Sequence, residues 1–164
     1  MTIQTTKTKE TPLHIACYGA AAELVNCLLE KCNSDQDIPD TYGDTPLFNA
    51  CCSGKVDIVK LLTGTYCNPL YINTQTWETP VHIACIMQQV DILKVLLDGY
   101  SGQINQKNRL GKTLLHLACQ SDAVEIVKFL VQNNCCDPNV RDHLGKVLCM
   151  LHAKVNILVL SSVS

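Results

Sequence analysis

Apolar and polar positions along the chain form a pattern that returns every 34 residues. The heptapeptides TPLHIAC, TPLFNAC, TPVHIAC and TLLHLAC begin at Thr11, Thr45, Thr79 and Thr113. In the first, Leu13, Ala16 and Cys17 share a face at helical spacing. Thr followed by Pro12, Pro46 or Pro80 reads as a helix start: the hydroxyl caps free amides, and Pro is tolerated at the first helical position. Twelve to fourteen residues after each Thr come Glu23-Leu24-Val25, Asp57-Ile58-Val59, Asp91-Ile92-Leu93 and Glu125-Ile126-Val127. The pairs Leu28-Leu29, Leu61-Leu62, Leu96-Leu97 and Phe129-Leu130 follow. This predicts a second helix in each unit, near Glu23 to Lys31 in the first, with Leu24, Val25, Leu28 and Leu29 on one stripe. Both helices are shorter than the roughly 12–15 residues at which isolated helices become even marginal. Their apolar faces must therefore be buried against each other and against neighbouring units, which is the logic of a solenoid.

The residues that carry this period, T-P-L-H-x-A, an acidic-Ile-Val-x-x-Leu-Leu run and a polar tip ending Asp-x-x-Gly, resemble the ankyrin repeat. The resemblance covers four units, residues 11–44, 45–78, 79–112 and 113–146, after a polar lead-in of residues 1–10. It implies an all-α ankyrin-repeat solenoid of helix-turn-helix units joined by β-hairpin-like loops. In that family the conserved His (here His14, His82 and His116) bonds near the helix start with the Thr. The family period is about 33, so one residue is expected to be added in each linker between the second helix and the fingertip.

Several positions depart from the pattern. Phe48 and Asn49 replace His and a small apolar residue, and Leu114 replaces Pro. Gly43, Gly111 and Gly145 recur two residues before the next unit, but Trp77 stands in that place at the end of the second. The register breaks after Lys146, and residues 147–164 are expected to be a degenerate or truncated fifth unit.

Composition narrows the function. The chain has 164 residues, 47% hydrophobic and 17% charged, with a formal net charge of −2 from 13 basic and 15 acidic side chains. That balance gives no electrostatic reason to expect nucleic acid or an anionic membrane as partner. The longest apolar runs are far short of the roughly 20 residues needed to cross a bilayer, so no direct membrane insertion is expected. Eleven cysteines, an odd count without a secretory pattern at the N-terminus, favour a reducing compartment and an intracellular, cytoplasmic location.

His14-x-x-Cys17, His82-x-x-Cys85 and His116-x-x-Cys119 suggest zinc, since both residue types are good ligands. Equivalent positions on neighbouring units are separated by a helix packing distance of roughly 8–10 Å, however. One ion would find only two ligands within about 2.3 Å. The same step exceeds the roughly 4.4–6.8 Å between the Cα atoms of a disulfide, so Cys17, Cys51, Cys85 and Cys119 read as small core residues. The loop cysteines Cys32, Cys67, Cys135 and Cys136 are less constrained. The acids Glu23, Asp57, Asp91 and Glu125 recur one per unit and read as solvated positions rather than catalytic carboxylates. No nucleophile elbow, P-loop or dinucleotide fingerprint is present. No catalysis, metal or cofactor is expected; the alternatives are a thiol- or metal-responsive protein, or a piece of a larger protein with its activity elsewhere.

The family resemblance implies that the ligand is another protein, held by the fingertips and the exposed face of the first helices. On this sequence the fingertip positions are Thr41, Tyr42 and Asp44; Gln75, Thr76, Trp77 and Glu78; Arg109, Leu110 and Lys112; His143, Leu144 and Lys146. The first-helix positions are Tyr18, Gly19, Cys52, Ser53, Ile86, Met87, Gln120 and Ser121. The residue before each helix start runs Asp44, Glu78, Lys112, Lys146, predicting a face that is acidic at one end and basic at the other.

Overall fold

The computed structural model describes residues 4–19, 21–31, 36–64, 67–68, 71–98, 105–133 and 140–145. They form eight helices in four pairs: α1 (Pro12–Gly19) with α2 (Ala22–Lys31), α3 (Pro46–Cys52) with α4 (Val56–Thr63), α5 (Pro80–Ile86) with α6 (Val90–Asp98), and α7 (Leu114–Gln120) with α8 (Val124–Gln132). The first helices pack in one row, α1 on α3, α3 on α5 and α5 on α7, while α2, α4 and α6 pack successively in a second. This is the all-α repeat solenoid expected from the pattern.

Among the described residues, the last three helix pairs are joined by a turn that needs one residue in the left-handed region. Gly54 (φ +70°), Gln88 (+56°) and Asp122 (+53°) fill that place, 34 residues apart. The following amide bonds back across the helix end, Lys55 to the Ala50 carbonyl at 3.2 Å, Gln89 to Ala84 at 2.8 Å and Ala123 to Ala118 at 2.9 Å. These bonds satisfy carbonyls that the helix end would otherwise leave open.

The core runs along the stack between the two rows. Cys17, Cys51, Cys85 and Cys119 are all buried, as are Leu13, Leu47, Val81 and Leu115 two residues into the first helices. The recurring acids Glu23, Asp57, Asp91 and Glu125 are exposed in the first turns of the second helices, where a negative charge suits the helix dipole. Asp91 and Glu125 pair with Lys94 and Lys128 one turn on.

The expected stripe of α2 needs correction. Val25 is buried and Leu28 and Leu29 are half-buried, but Leu24 is 51% exposed. Its counterparts Ile58, Ile92 and Ile126 are all at most 1% exposed. The second helices pack along their row, α4 on α2 and α6 on α4, and α2 has no described helix before it. Ile15 is exposed on α1 for the same reason, whereas its counterpart Leu117 is buried.

The expected β-hairpin character is also reduced. Among the described residues there is no strand, and only Arg141 takes an isolated bridge. The fingertips are tight turns, and one backbone bond at a time links neighbours, which is too few for a ladder. The linkers expected to hold the extra residue fall largely outside the described residues, as do Lys146 and residues 147–164.

Candidate functional site

Each first helix begins at a buried Thr, and in three units a buried His three residues on meets it. The Thr11, Thr79 and Thr113 hydroxyls lie 2.8, 2.8 and 2.9 Å from Nδ1 of His14, His82 and His116. The Thr backbone amide donates to the same Nδ1 at 3.1, 3.3 and 3.3 Å. Nδ1 is thus an acceptor, so the neutral ring carries its proton on Nε2. From there His14 donates to the Asp44 carbonyl (3.0 Å) and His82 to that of Gln106 (3.1 Å). The His14 and His82 rings each span their own helix start and the backbone of the next loop, so their nitrogens are committed to structure. Burial lowers the His82 pKa from 6.5 to about 4, against the opposing pull of the Gln106 and Lys112 carbonyls.

Burial makes the described thiols Cys17, Cys51 and Cys52 poor nucleophiles, while the loop cysteines Cys32, Cys135 and Cys136 lie outside the described residues. Burial, with a smaller push from Cys67, raises the Cys17 thiol to about 12, and burial with Cys52 and Cys17 raises that of Cys51. The buried thiol is the stable form, and thiol chemistry needs the thiolate. Cys52 is raised by burial and by the fields of Asp44 and Glu78. Among the described residues no group of three or more His, Cys, Asp or Glu side chains converges as a metal site.

The second unit lacks the Thr–His pair. Phe48 is fully buried where His would stand, and the buried Thr45 Oγ1 is left with no hydrogen-bond partner. Asn49 turns the neighbouring departure to use by donating from Nδ2 to the His14 carbonyl on α1 at 3.3 Å.

The fingertips are built around one side chain each; the sequence pattern held the acidic ones as the Asp of its Asp-x-x-Gly tip without giving the side chain a role, and did not single out Asn73 or Asn108. Asp40 Oδ1 accepts from the amides of Tyr42 (2.8 Å) and Asp44 (3.0 Å). Asn108 Oδ1 accepts from Leu110 (3.0 Å) and Lys112 (3.1 Å), and Asn73 Oδ1 from Gln75 (2.8 Å) and Thr76 (3.2 Å). Asn73 and Asn108 are buried. The signal was present in the sequence: an Asx residue three or four positions before the Gly or Trp is a turn former with a mechanism.

Two turn lengths result. The amides of Gly43, Gly111 and Gly145 bond back three residues, to Asp40, Asn108 and Asp142. Trp77 bonds back four, to the Asn73 carbonyl at 2.7 Å. The glycines sit at φ +70° to +83° and Trp77 at +60°. The extra residue in the turn lets Trp77 occupy the small left-handed basin open to L-residues, near φ +50° to +70°. Gly111 has no such latitude: a Cβ there would stand 2.7 Å from the backbone nitrogen of His143.

Hydrogen bonds zip the fingertips together. The Thr41 amide donates to the Thr8 carbonyl, Arg109 to Thr76 (both 2.9 Å) and His143 to Leu110 (3.2 Å). Gln75 Nε2 donates to the Thr41 carbonyl (2.9 Å) and Arg109 Nη1 to that of Gln75 (3.1 Å). Asn73 Nδ2 reaches the Tyr42 carbonyl (3.0 Å) and the Asp44 carboxylate (2.7 Å), and Asn108 Nδ2 reaches Glu78 (3.3 Å). Of the predicted binding positions, Thr41, Gln75, Thr76 and Arg109 therefore take part in this zipper. Tyr42, Trp77, Leu110 and Leu144 instead leave large apolar side chains exposed, at 63%, 53%, 59% and 76%. Ile86 and Met87 are exposed at the end of α5. Lys112 Nζ reaches Gln120 Oε1 at 2.5 Å, which ties its fingertip to the end of α7. His143 is exposed.

The family model for ankyrin repeats, in three copies, matches residues 1–73 and 64–142. The chain belongs to the ankyrin repeat family. The two matches together span the four units whose Thr, His and Cys positions set the ankyrin period here. No curated protein matches the chain. Ankyrin repeats are in general protein-interaction modules, and no helix among the described residues is long and apolar enough to cross a membrane.

Proposed function

We propose that this chain is a non-catalytic interaction module or scaffold that binds a partner protein through its fingertips and the adjoining ends of its first helices. The observation that carries the reading is the placement of the exposed apolar groups. Of the ten large hydrophobic residues exposed among the described residues, seven (Tyr18, Tyr42, Trp77, Ile86, Met87, Leu110 and Leu144) lie at these positions. Contiguous exposed apolar surface marks interaction sites, and Tyr and Trp are enriched among their hot spots. The zipper below them holds the surface in place before a partner arrives, which lowers the ordering cost of binding. Buried, protonated thiols such as Cys17 and Cys51 suit a reducing, cytoplasmic setting and give a thiol-responsive reading little support.

The test is affinity purification of the intact chain beside a variant carrying Tyr42→Ala, Trp77→Ala and Arg109→Glu, with Lys60→Glu on α4 as a control. Partners that bind the wild type and the control are expected to be lost from the triple variant. Retention of every partner at the wild-type level would sink the assignment of this face.

A further inference from the structure

The residue preceding each helix start forms a row beside the first-helix ends, and its charge changes sign within the array: Glu10, Asp44, Glu78, then Lys112. The two fingertips at residues 40–44 and 73–78 carry only acidic charges, Asp40, Asp44 and Glu78; the next two carry Lys107, Arg109, Lys112 and Arg141 beside the buried Asp142, and Lys7 and Lys9 flank Glu10 in the lead-in. These opposite charges do not neutralise each other. Among the described residues the ion pairs are Lys94–Asp91 and Lys128–Glu125, both within second helices. The carboxylates of Asp44 and Glu78 accept from the side-chain amides of Asn73 and Asn108, and Lys112 Nζ meets the side-chain amide oxygen of Gln120. Glu78 and Lys112 stand on neighbouring units, and each is held by a neutral amide, Asn108 for Glu78 and Gln120 for Lys112. The exposed Trp77 ring lies next to Glu78, where the sign changes.

We propose that this face takes an extended segment of a partner protein with its charges in a fixed order. A Lys or Arg side chain sits opposite Asp44 and Glu78, an apolar side chain lies against Trp77, and a carboxylate sits opposite Lys112. The proposal rests on the interaction reading above and adds a polarity to it. The spacing is set by the stack. One to two steps of roughly 8–10 Å separate the acidic and basic positions, and an extended chain covers about 3.3 Å per residue. The cation and the carboxylate are then about three to six residues apart in the ligand. Burial raises the Asp44 pKa, against the Asn73 bond and the nearby His14 ring and with a further rise from Asp40, and no Lys or Arg pairs with it among the described residues, so a cation supplied by the partner would relieve the buried carboxylate. Complementary charge of this kind fixes register and speeds encounter more than it adds raw affinity.

The test selects a phage-displayed library of random 12-residue peptides on the intact chain. Enriched peptides are expected to carry Lys or Arg and Asp or Glu three to six residues apart with an apolar residue between. Glu78→Lys and Lys112→Glu, each checked for fold by circular dichroism, are expected to weaken those peptides at least tenfold. The double variant Glu78→Lys/Lys112→Glu is expected to prefer peptides with the two charges interchanged. Selection of no peptide, enrichment without ordered charges, or binding indifferent to both charge variants would overturn the proposal. If Trp77→Ala abolishes binding while the charge variants do not, the polarity fails and the interaction reading stands. If no variant on this face changes binding, both fail.

Discussion

The second and third units share one fold but reach it differently. The third keeps Thr79 with His82 and is followed by the tight turn of Gly111. The second replaces His with Phe48, leaves the Thr45 hydroxyl without a partner, and ends in a longer turn carrying Trp77. Yet α3 and α5 are the same length, and Cys51 and Cys85 are equally buried. Apolar burial within and between units is enough to place a helix here. The Thr–His pair adds a polar link from the helix start to the next loop in the first and third units.

The largest separation between the two units is expected in acid. The His82 pKa falls from 6.5 in the unfolded chain to about 4 in the fold, chiefly because burial disfavours the charged ring. The unfolded chain then binds more protons between those values, so stability rises with pH across the window. The contribution is fully present above about pH 6.5 and is lost as the pH falls toward 4. At roughly 1.4 kcal/mol per pKa unit, it is on the order of 3 kcal/mol. His82→Phe, which copies the second unit, is expected to cost stability at pH 7.5 and to close most of the gap to the wild type by pH 4. Urea unfolding at a series of pH values measures this. Parallel pH curves for the two proteins would show that His82 is not the titrating group.

A smaller contrast isolates the hydroxyls. Thr79→Val removes the 2.8 Å bond to His82 and is expected to cost about 1 kcal/mol. Thr45→Val removes a buried hydroxyl that has no partner, so it is expected to be neutral or stabilising by up to about 1 kcal/mol. Urea midpoints of the two variants at pH 7.5 decide the matter. Equal losses would mean that Thr45 has a partner the structure does not show.

These contrasts also mark how far the sequence could be read. The period, the two helices and the buried Cys column were legible because each is a local pattern repeated four times. The exposure of Leu24 was not, because its counterparts are buried by a neighbouring unit rather than by anything in the stripe itself. The roles of Asn73 and Asn108 were missed for a different reason. Their function lies in side-chain bonds to the backbone of a turn, and the repeat alignment shifts by one residue at Asn73. The fingertip positions were found as a set. Which of them face outward and which are consumed by the zipper depends on bonds between residues about 34 apart, which a single unit does not reveal.

The smallest expected effect concerns Trp77, and it sharpens the comparison most. An L-residue in the left-handed region costs roughly 1–2 kcal/mol relative to an ordinary conformation. Glycine removes that cost but gives back roughly 0.5–1 kcal/mol in chain entropy. Trp77→Gly is thus expected to raise stability by about 1 kcal/mol at most, even though it deletes the largest side chain in the protein. Trp77→Ala keeps the left-handed residue and loses the ring, so it is expected to leave stability nearly unchanged. The two variants separate backbone from ring, and circular dichroism must follow the unfolding because Trp77 is the sole tryptophan. A loss well above 1 kcal/mol in both would mean that the ring packs on its own turn and stabilises the second unit. Small effects on stability, together with lost partner binding, would mean that the second unit tolerates a strained residue for what its side chain does outside the fold.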